Sequence, residues 1–135
     1  MNLLQIAKGE FTPEVLFDPE NHTFKMEGVS RPENVSAFYT EVIEWITTYE
    51  SELYKNHVLG GKKFGLTFSF QFSYFNSASS KLIFQLLECL VRIKSMGYGT
   101  DIFWYYEEGD DQMREDGEEL SEAIEIPFTI NEIPS

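Results

Sequence analysis

Phe64-Gly65-Leu66-Thr67-Phe68-Ser69-Phe70-Gln71-Phe72-Ser73-Tyr74 is the stretch on which the fold turns. Its even-numbered residues are apolar and its odd-numbered residues are small or polar. Successive side chains of a strand point to opposite faces, so this alternation predicts a strand with one dry face and one wet face. A strand held between two helical layers would be apolar on both faces. The run therefore predicts a two-layer architecture. Phe64, Leu66, Phe68, Phe70, Phe72 and Tyr74 pack against helices that lie mainly on one side of the sheet.

Helical patterns flank the run. Upstream, Val35, Phe38, Tyr39, Val42, Ile43, Ile46, Tyr49 and Leu53 recur at helical spacing. Ser30-Arg31-Pro32-Glu33-Asn34 ahead of them has the composition of a helix start. Gly60-Gly61-Lys62-Lys63 reads as a loop. Downstream, Asn76-Ser77-Ala78-Ser79-Ser80 ends the strand and opens a second helix, with Leu82, Ile83, Leu86, Leu87, Leu90 and Ile93 as its apolar stripe. Arg92 and Lys94 suit the end of that helix, and Gly97 can supply a left-handed cap. Thr100 to Tyr106 predicts another strand, with aromatics on both faces. A short helix is expected from about Asp111 to Ser121, and Ile126 to Ile130 reads as a final strand or extended tail. In the first thirty residues, Leu3–Ile6, Glu14–Asp18 and Thr23–Gly28 predict three short strands separated by Thr12-Pro13 and Asp18-Pro19-Glu20-Asn21. The expectation is one α/β domain over residues 1–135, a mixed β-sheet with helices mainly on one face.

Composition narrows the function. The chain has 135 residues, a common size for one domain. Ten basic residues stand against 23 acidic ones, a net charge of −13. Phosphate backbones and anionic membrane surfaces are bound through clustered Lys and Arg, so neither nucleic acid nor membrane is an expected partner. The longest apolar segment, Leu82 to Val91, is interrupted by Gln85 and Glu88 and is too short to span a bilayer. The N-terminus has no basic leader followed by a long apolar region, and Cys89 alone cannot form an internal disulfide. Both features predict a cytoplasmic location.

Asn76-Ser77-Ala78-Ser79-Ser80-Lys81 is the most informative stretch for chemistry. Three hydroxyls crowd a strand-to-helix turn, where free N–H groups and the positive helix end favour an anion. A phosphoryl group there would add about −1.5 to −2 charges, with Lys81 one helical turn away to help balance it. The same residues also serve as plain helix caps. From Glu107 to Glu125 there are ten acidic residues against Arg114, a net −9. An EF-hand register with Gly117 at position six puts Gln112 and Arg114 at ligand positions, and one with Gly109 puts Trp104 there. No zinc spacing exists either. No metal and no cofactor are therefore expected, and the segment reads as a solvated acidic helix or a docking surface for a basic partner. A small enzyme that uses Asp110, Asp111 and Glu115 is the weakest reading, and no turnover is expected.

Enzyme motifs fail on inspection. Asn56 stands where a phosphate loop ending at Gly61-Lys62 needs glycine, and Lys63 where it needs Ser or Thr. Ala78 stands where a Ser-x-x-Lys pair ending at Lys81 needs serine. His22 and His57 fit surface roles in a turn and a loop, and Cys89 fits inert packing within the second helix. Tyr74-Phe75 and Trp104-Tyr105-Tyr106 are strand ends that become neighbours if their strands are parallel and joined by the helix. Phe75 and Trp104 read as core.

Taken in order, these stretches resemble the SiaC family of bacterial regulatory phosphoproteins. The matching pieces are Thr12-Pro13, Gly28-Val29-Ser30-Arg31-Pro32-Glu33-Asn34, the Trp45 region, Tyr74-Phe75-Asn76-Ser77 through Lys81, Trp104-Tyr105-Tyr106, Asp110-Asp111, Glu115-Asp116-Gly117-Glu118 and Pro127-Phe128. The resemblance implies a fold similar to anti-sigma-factor antagonists (STAS-like) and a non-enzymatic partner-switching role. It implies a Ser/Thr protein kinase of the histidine-kinase-like ATPase type, a PP2C-type phosphatase, and a diguanylate cyclase bound and activated by the unphosphorylated form. Cyclic di-GMP and biofilm growth or aggregation would be the output. The family's acceptor is a threonine directly after Tyr-x-Asn, and Ser77 holds that position here. The family often has another hydroxyl next, where this chain has Ala78. Ser79 and Ser80 remain alternative acceptors. Asn76, Ser79, Ser80 and Lys81 would shape the site, with Tyr74, Phe75, Glu33, Asn34, Asp110 and Asp111 contributing to it or to partner binding. The alternative is a constitutive protein-binding module in which the serines only cap.

Overall fold

Period-two spacing forms the strands and period-3.6 spacing forms the helices, much as the sequence dictates. The computed structural model describes residues 1–135. The elements are β1 (Leu4–Ile6), β2 (Glu14–Asp18), β3 (Thr23–Ser30), α1 (Val35–Val58), β4 (Gly65–Phe75), α2 (Ser77–Ser95), β5 (Gly99–Glu107), α3 (Asp111–Ile124) and β6 (Thr129–Ile133). All six strands join one sheet, and their spatial order is their chain order. β1, β2 and β3 run antiparallel, and β3 through β6 run parallel. Three parallel crossovers that advance in one direction, each with the usual right hand, put α1, α2 and α3 on the same face.

The core lies between that face and the helices. Leu66, Phe68, Phe70 and Phe72 of β4 are buried among Tyr39, Val42 and Ile46 of α1 and Ile83, Leu86, Leu87 and Leu90 of α2. Phe24 of β3 stacks on Phe68 at 4.5 Å. Trp104 of β5 is fully enclosed, with Phe70, Phe72, Phe75 and Phe128 all at 5.9–6.1 Å. Each such ring contributes about 1.5–3 kcal/mol when fully buried. Asp101 and Lys25 on the other face stay exposed, as a two-layer fold requires.

Three boundaries and the facing of one side chain differ from the sequence expectation, each for a physical reason. β3 runs on to Ser30, so Ser30 is a buried strand residue rather than part of a helix start. Tyr74 does not share the dry face. Phe72 pairs with Gly28 and Tyr74 with Val29, which leaves Ser73 as the extra residue of a β-bulge. One inserted residue reverses every later side chain. Tyr74 therefore points outward, 49% exposed, and Phe75 turns inward to 5.5 Å from Phe72. α3 runs to Ile124 rather than Ser121, because Leu120 and Ile124 continue the stripe begun by Met113 and Gly117. Glu125, in the left-handed conformation at φ 59°, ends it. β6 begins only at Thr129. Pro127 has no N–H to give a ladder. Ser121 Oγ donates to the Ile126 carbonyl and accepts from the Phe128 N–H, so the chain here bonds to α3.

Candidate functional site

Parallel strands joined by helices bring every helix start to one edge of the sheet. β3, β4 and β5 all end there, and α1, α2 and α3 all begin there. Each start is capped by the residue just before the helix. Asn34 Oδ1 accepts from the Ala37 N–H at 3.0 Å, Asn76 Oδ1 from the Ser79 N–H at 2.8 Å, and Asp110 Oδ1 from the Met113 N–H at 3.1 Å. The edge thus places Glu33, Asn34, Asn76, Ser77, Asp110 and Asp111 on one side of the molecule.

The serine cluster is sorted by depth. Asn76 is the cap, so the serines are freed from that task. Its N–H also donates to the Ser30 carbonyl at 3.1 Å, which ties the start of α2 to the end of β3. Ser77 occupies the first helical position and is exposed, and its hydroxyl has no partner within the chain. Ser79 is fully buried. Its hydroxyl donates to the Ser30 carbonyl at 2.9 Å and accepts from Ser30 Oγ at 3.0 Å. Ser30 Oγ in turn lies 2.7 Å from the Tyr39 hydroxyl. Burial pushes Tyr39 up to about 12, against the pull of its serine partners. These three hydroxyls lock β3, α1 and α2 together directly beneath the edge. Ser80 is half-buried and Lys81 exposed, one turn beyond Ser77. The Ser77 hydroxyl is open to solvent, whereas Ser79 is committed to the interior.

Ser30 and Tyr39 are the residues that sequence reasoning missed. The signal was present: Phe24, Met26, Gly28 and Ser30 keep period two to the end of β3, which assigns Ser30 to the dry face. The aromatic expectation holds. Phe75 and Trp104 meet at 6.1 Å, with Phe75 half-buried and Trp104 in the core. Cys89 is buried, and burial pushes its thiol up to about 11. His57 lies at the surface, with Nδ1 2.9 Å from Lys63 Nζ, while His22 stacks on Phe64 at 4.2 Å. No three His, Cys, Asp or Glu side chains converge to hold a metal ion. No helix is long and apolar enough to cross a membrane.

A rigid edge that presents an unengaged hydroxyl beside exposed aromatic and charged groups suits recognition by other proteins, which is the build of a regulatory domain. Comparison with known proteins gives the family. A family model, SiaC family regulatory phosphoprotein, matches residues 6–133, and the chain belongs to that family. Its fold matches SiaC in the crystal structure of diguanylate cyclase SiaD in complex with its activator SiaC from Pseudomonas aeruginosa, with a TM-score of 0.83 and 25% identity over 96% of this chain and 99% of that one. It matches apo-SiaC of the same organism with a TM-score of 0.81 and 25% identity over 97% and 99% of the two chains. An uncharacterized protein of Pseudomonas aeruginosa strain UCBPP-PA14 is 25% identical over 130 residues, 96% of each chain. Family membership makes the chain a regulatory phosphoprotein and not a catalyst.

Proposed function

We propose that the chain is a phosphorylation-switched adaptor whose unphosphorylated form binds and activates a diguanylate cyclase, with Ser77 as the acceptor. A Ser/Thr kinase of the histidine-kinase-like ATPase type adds the phosphate, a PP2C-type phosphatase removes it, and the exchange takes place in the cytoplasm. The observation that carries this reading is the state of Ser77. It is the exposed, unbonded hydroxyl of the cluster, while the cap beside it is supplied by Asn76. A cap-only role for Ser77 has nothing left to explain. The solved complex between SiaD and its activator SiaC supports the choice of partner.

The chemistry of the switch follows from position. A phosphate on Ser77 faces the free N–H groups of the first turn of α2, where an anion gains about 0.3–1 kcal/mol from the helix dipole. The fold therefore tolerates it. A bound partner does not, because about two negative charges must be desolvated within the contact. A penalty of ~3 kcal/mol suffices for more than a hundredfold loss of affinity.

The test is a phosphosite map with a paired binding assay. The protein is incubated with the neighbouring kinase and ATP, and intact and fragment masses are recorded. One phosphate on Ser77, loss of cyclase binding on phosphorylation, and retained binding by Ser77→Ala are the expected results. Phosphate on Ser80 alone would move the site. No phosphate from a kinase active on a control substrate would leave a constitutive binding module.

A further inference from the structure

The sheet divides between β4 and β5. The ladder that joins them runs from Gly65–Gly99 to Phe70–Trp104 and stops there. Both strands continue. β4 stays paired to β3 as far as Phe75–Ser30, past the bulge at Ser73, and β5 stays paired to β6 as far as Glu107–Ile133. The carboxyl edge of the sheet is thus a fork, with β3 and β4 on one arm and β5 and β6 on the other. Backbone groups that turn toward the gap beyond Phe70 and Trp104 have no strand opposite them. On the helix side the fork is filled by Phe75 and Trp104, 6.1 Å apart. On the open side it remains a hollow of about 110 Å³. Gln71 and Ser73 line one wall, and Tyr105 and Glu107 the other. Lys8 reaches in from the β1–β2 connection. Its stem lies on Gly28, where a Cβ would stand 3.2 Å from Lys8 Cε. The Tyr105 ring is fixed by stacking on Phe103 at 6.5 Å. Lys8 and Glu107 belong to none of the ion pairs of the chain, and the Gln71, Ser73 and Tyr105 side chains have no hydrogen-bond partner within it. Glu27, also in the lining, is already held by Lys25 at 3.0 Å.

We propose that this fork is a binding site for a small free α-amino acid, its carboxylate on Lys8 and Ser73 and its ammonium on Glu107 and the face of Tyr105. The mixed charge of the walls selects this class. The Lys8 ammonium repels a simple cation. Glu107, in a chain of net charge −13, repels a simple anion. An apolar ligand would cover the Gln71 amide and the Ser73 hydroxyl without pairing them, which is costly. A zwitterion brings one charge of each sign and no net charge, so it meets both walls and escapes both repulsions. The face of a tyrosine also attracts an ammonium group, and the Gln71 amide offers a donor and an acceptor together. Size agrees with the chemistry. Liquid water takes about 30 Å³ per molecule, so the hollow has the room of roughly three or four waters, which is that of glycine, alanine or serine. A crevice at the carboxyl ends of the strands is also where open α/β sheets receive small ligands. The assignment does not depend on the adaptor reading.

The experiment titrates glycine, L-alanine and L-serine into the isotope-labelled full chain and follows its amide NMR signals. Acetate, which lacks the ammonium, and glycinamide, which lacks the carboxylate, are titrated in parallel. At least one of the amino acids should give saturable shifts centred on Gly28, Gln71, Ser73, Tyr105 and Glu107, with a Kd of about 1 mM or tighter. Acetate and glycinamide should bind about tenfold more weakly or not at all, because each leaves one charged wall unpaired. Lys8→Met keeps the stem on Gly28 and removes the charge, and Glu107→Gln removes the opposite charge. Both residues are exposed, so the rest of the spectrum should stay that of the wild type. Each substitution should weaken binding about tenfold, whereas Lys55→Met, in the last turn of α1 at the opposite edge, should leave it unchanged. Four results would each overturn the assignment: no saturable shift up to about 20 mM of any of the three amino acids, equal binding of acetate or glycinamide, shifts centred elsewhere, or unchanged affinity in both fork variants.

Discussion

Gly117→Ala is the sharpest probe of how α3 is seated. A Cβ added at Gly117 would lie 2.4 Å from Trp104 Cδ1 and 2.5 Å from Trp104 Nε1. Trp104 cannot step aside, because four phenylalanine rings enclose it and its Nε1–H donates to the Met113 carbonyl at 3.0 Å. The helix must therefore lift. Overpacking of this kind costs about 1–3 kcal/mol. Stretching the indole hydrogen bond adds about 0.5–1.5 kcal/mol. Alanine returns about 1 kcal/mol through its better helix propensity. The net is a loss of about 2 kcal/mol, which lowers the melting temperature by roughly 6–10 °C for a chain of this size. Urea unfolding monitored by tryptophan fluorescence reads both the midpoint and the indole environment. Trp104→Phe removes the clashing atoms, so in a double-mutant cycle the Gly117→Ala cost should largely vanish on that background. A Gly117→Ala protein as stable as wild type, or a cost that is additive with Trp104→Phe, would refute the reasoning.

Other expectations are simpler. Ser79→Ala leaves the buried Ser30 hydroxyl and carbonyl short of a partner and should cost about 1–3 kcal/mol, while Ser77→Ala should stay within about 0.5 kcal/mol of wild type in the same urea titration. Burial holds Tyr39 and Tyr49 near 12. Unfolded tyrosines lose their protons from about pH 10. Their neutral forms thus support the fold fully below pH 10, and that support, about 2–3 kcal/mol each, drains away as pH rises toward 12. Alkaline unfolding followed by circular dichroism should begin above pH 10. The Tyr49 hydroxyl is buried without a partner, so Tyr49→Phe should be neutral or stabilising by about 1 kcal/mol and should reduce that alkaline loss. Cys89, with its thiol pushed up to about 11, should resist iodoacetamide at pH 8 until the protein is unfolded by urea, as counted by mass spectrometry.

The parts of the fold legible in the sequence are those in which one period holds over a whole element. The β4 alternation, the α1 and α2 stripes and the Asn34 and Asn76 caps are local properties of their own residues. What escaped depends on partners elsewhere in the chain. The bulge that turns Tyr74 outward is set by the register of β4 against β3 at Gly28, whose φ of 125° and missing Cβ leave room for the Lys8 stem. The late start of β6 reflects Ser121 holding residues 126 and 128, a bond between segments that composition does not show. At the site, the sequence marked the serine cluster but could not rank its hydroxyls. Their ranking follows from burial against Ser30 and Tyr39, and helical position alone does not reveal which side of α2 the neighbouring strand covers.

The sheet order has a consequence for how the molecule is made. Each strand pairs with the one synthesised just before it, and no strand must be inserted later between two earlier ones. The connections to be closed are two hairpins and then three single crossovers, which keeps the entropic cost of each step small. On the ribosome the sheet can therefore grow in one direction, from β1 toward β6, with each helix covering its strand as it emerges. The growing side is always a bare edge, exposed for the time of one crossover. A pause in translation between α2 and β5 would leave the aromatic row of β4 as that edge, and the enclosure of Trp104 by Phe128 would be the last part of the core to form.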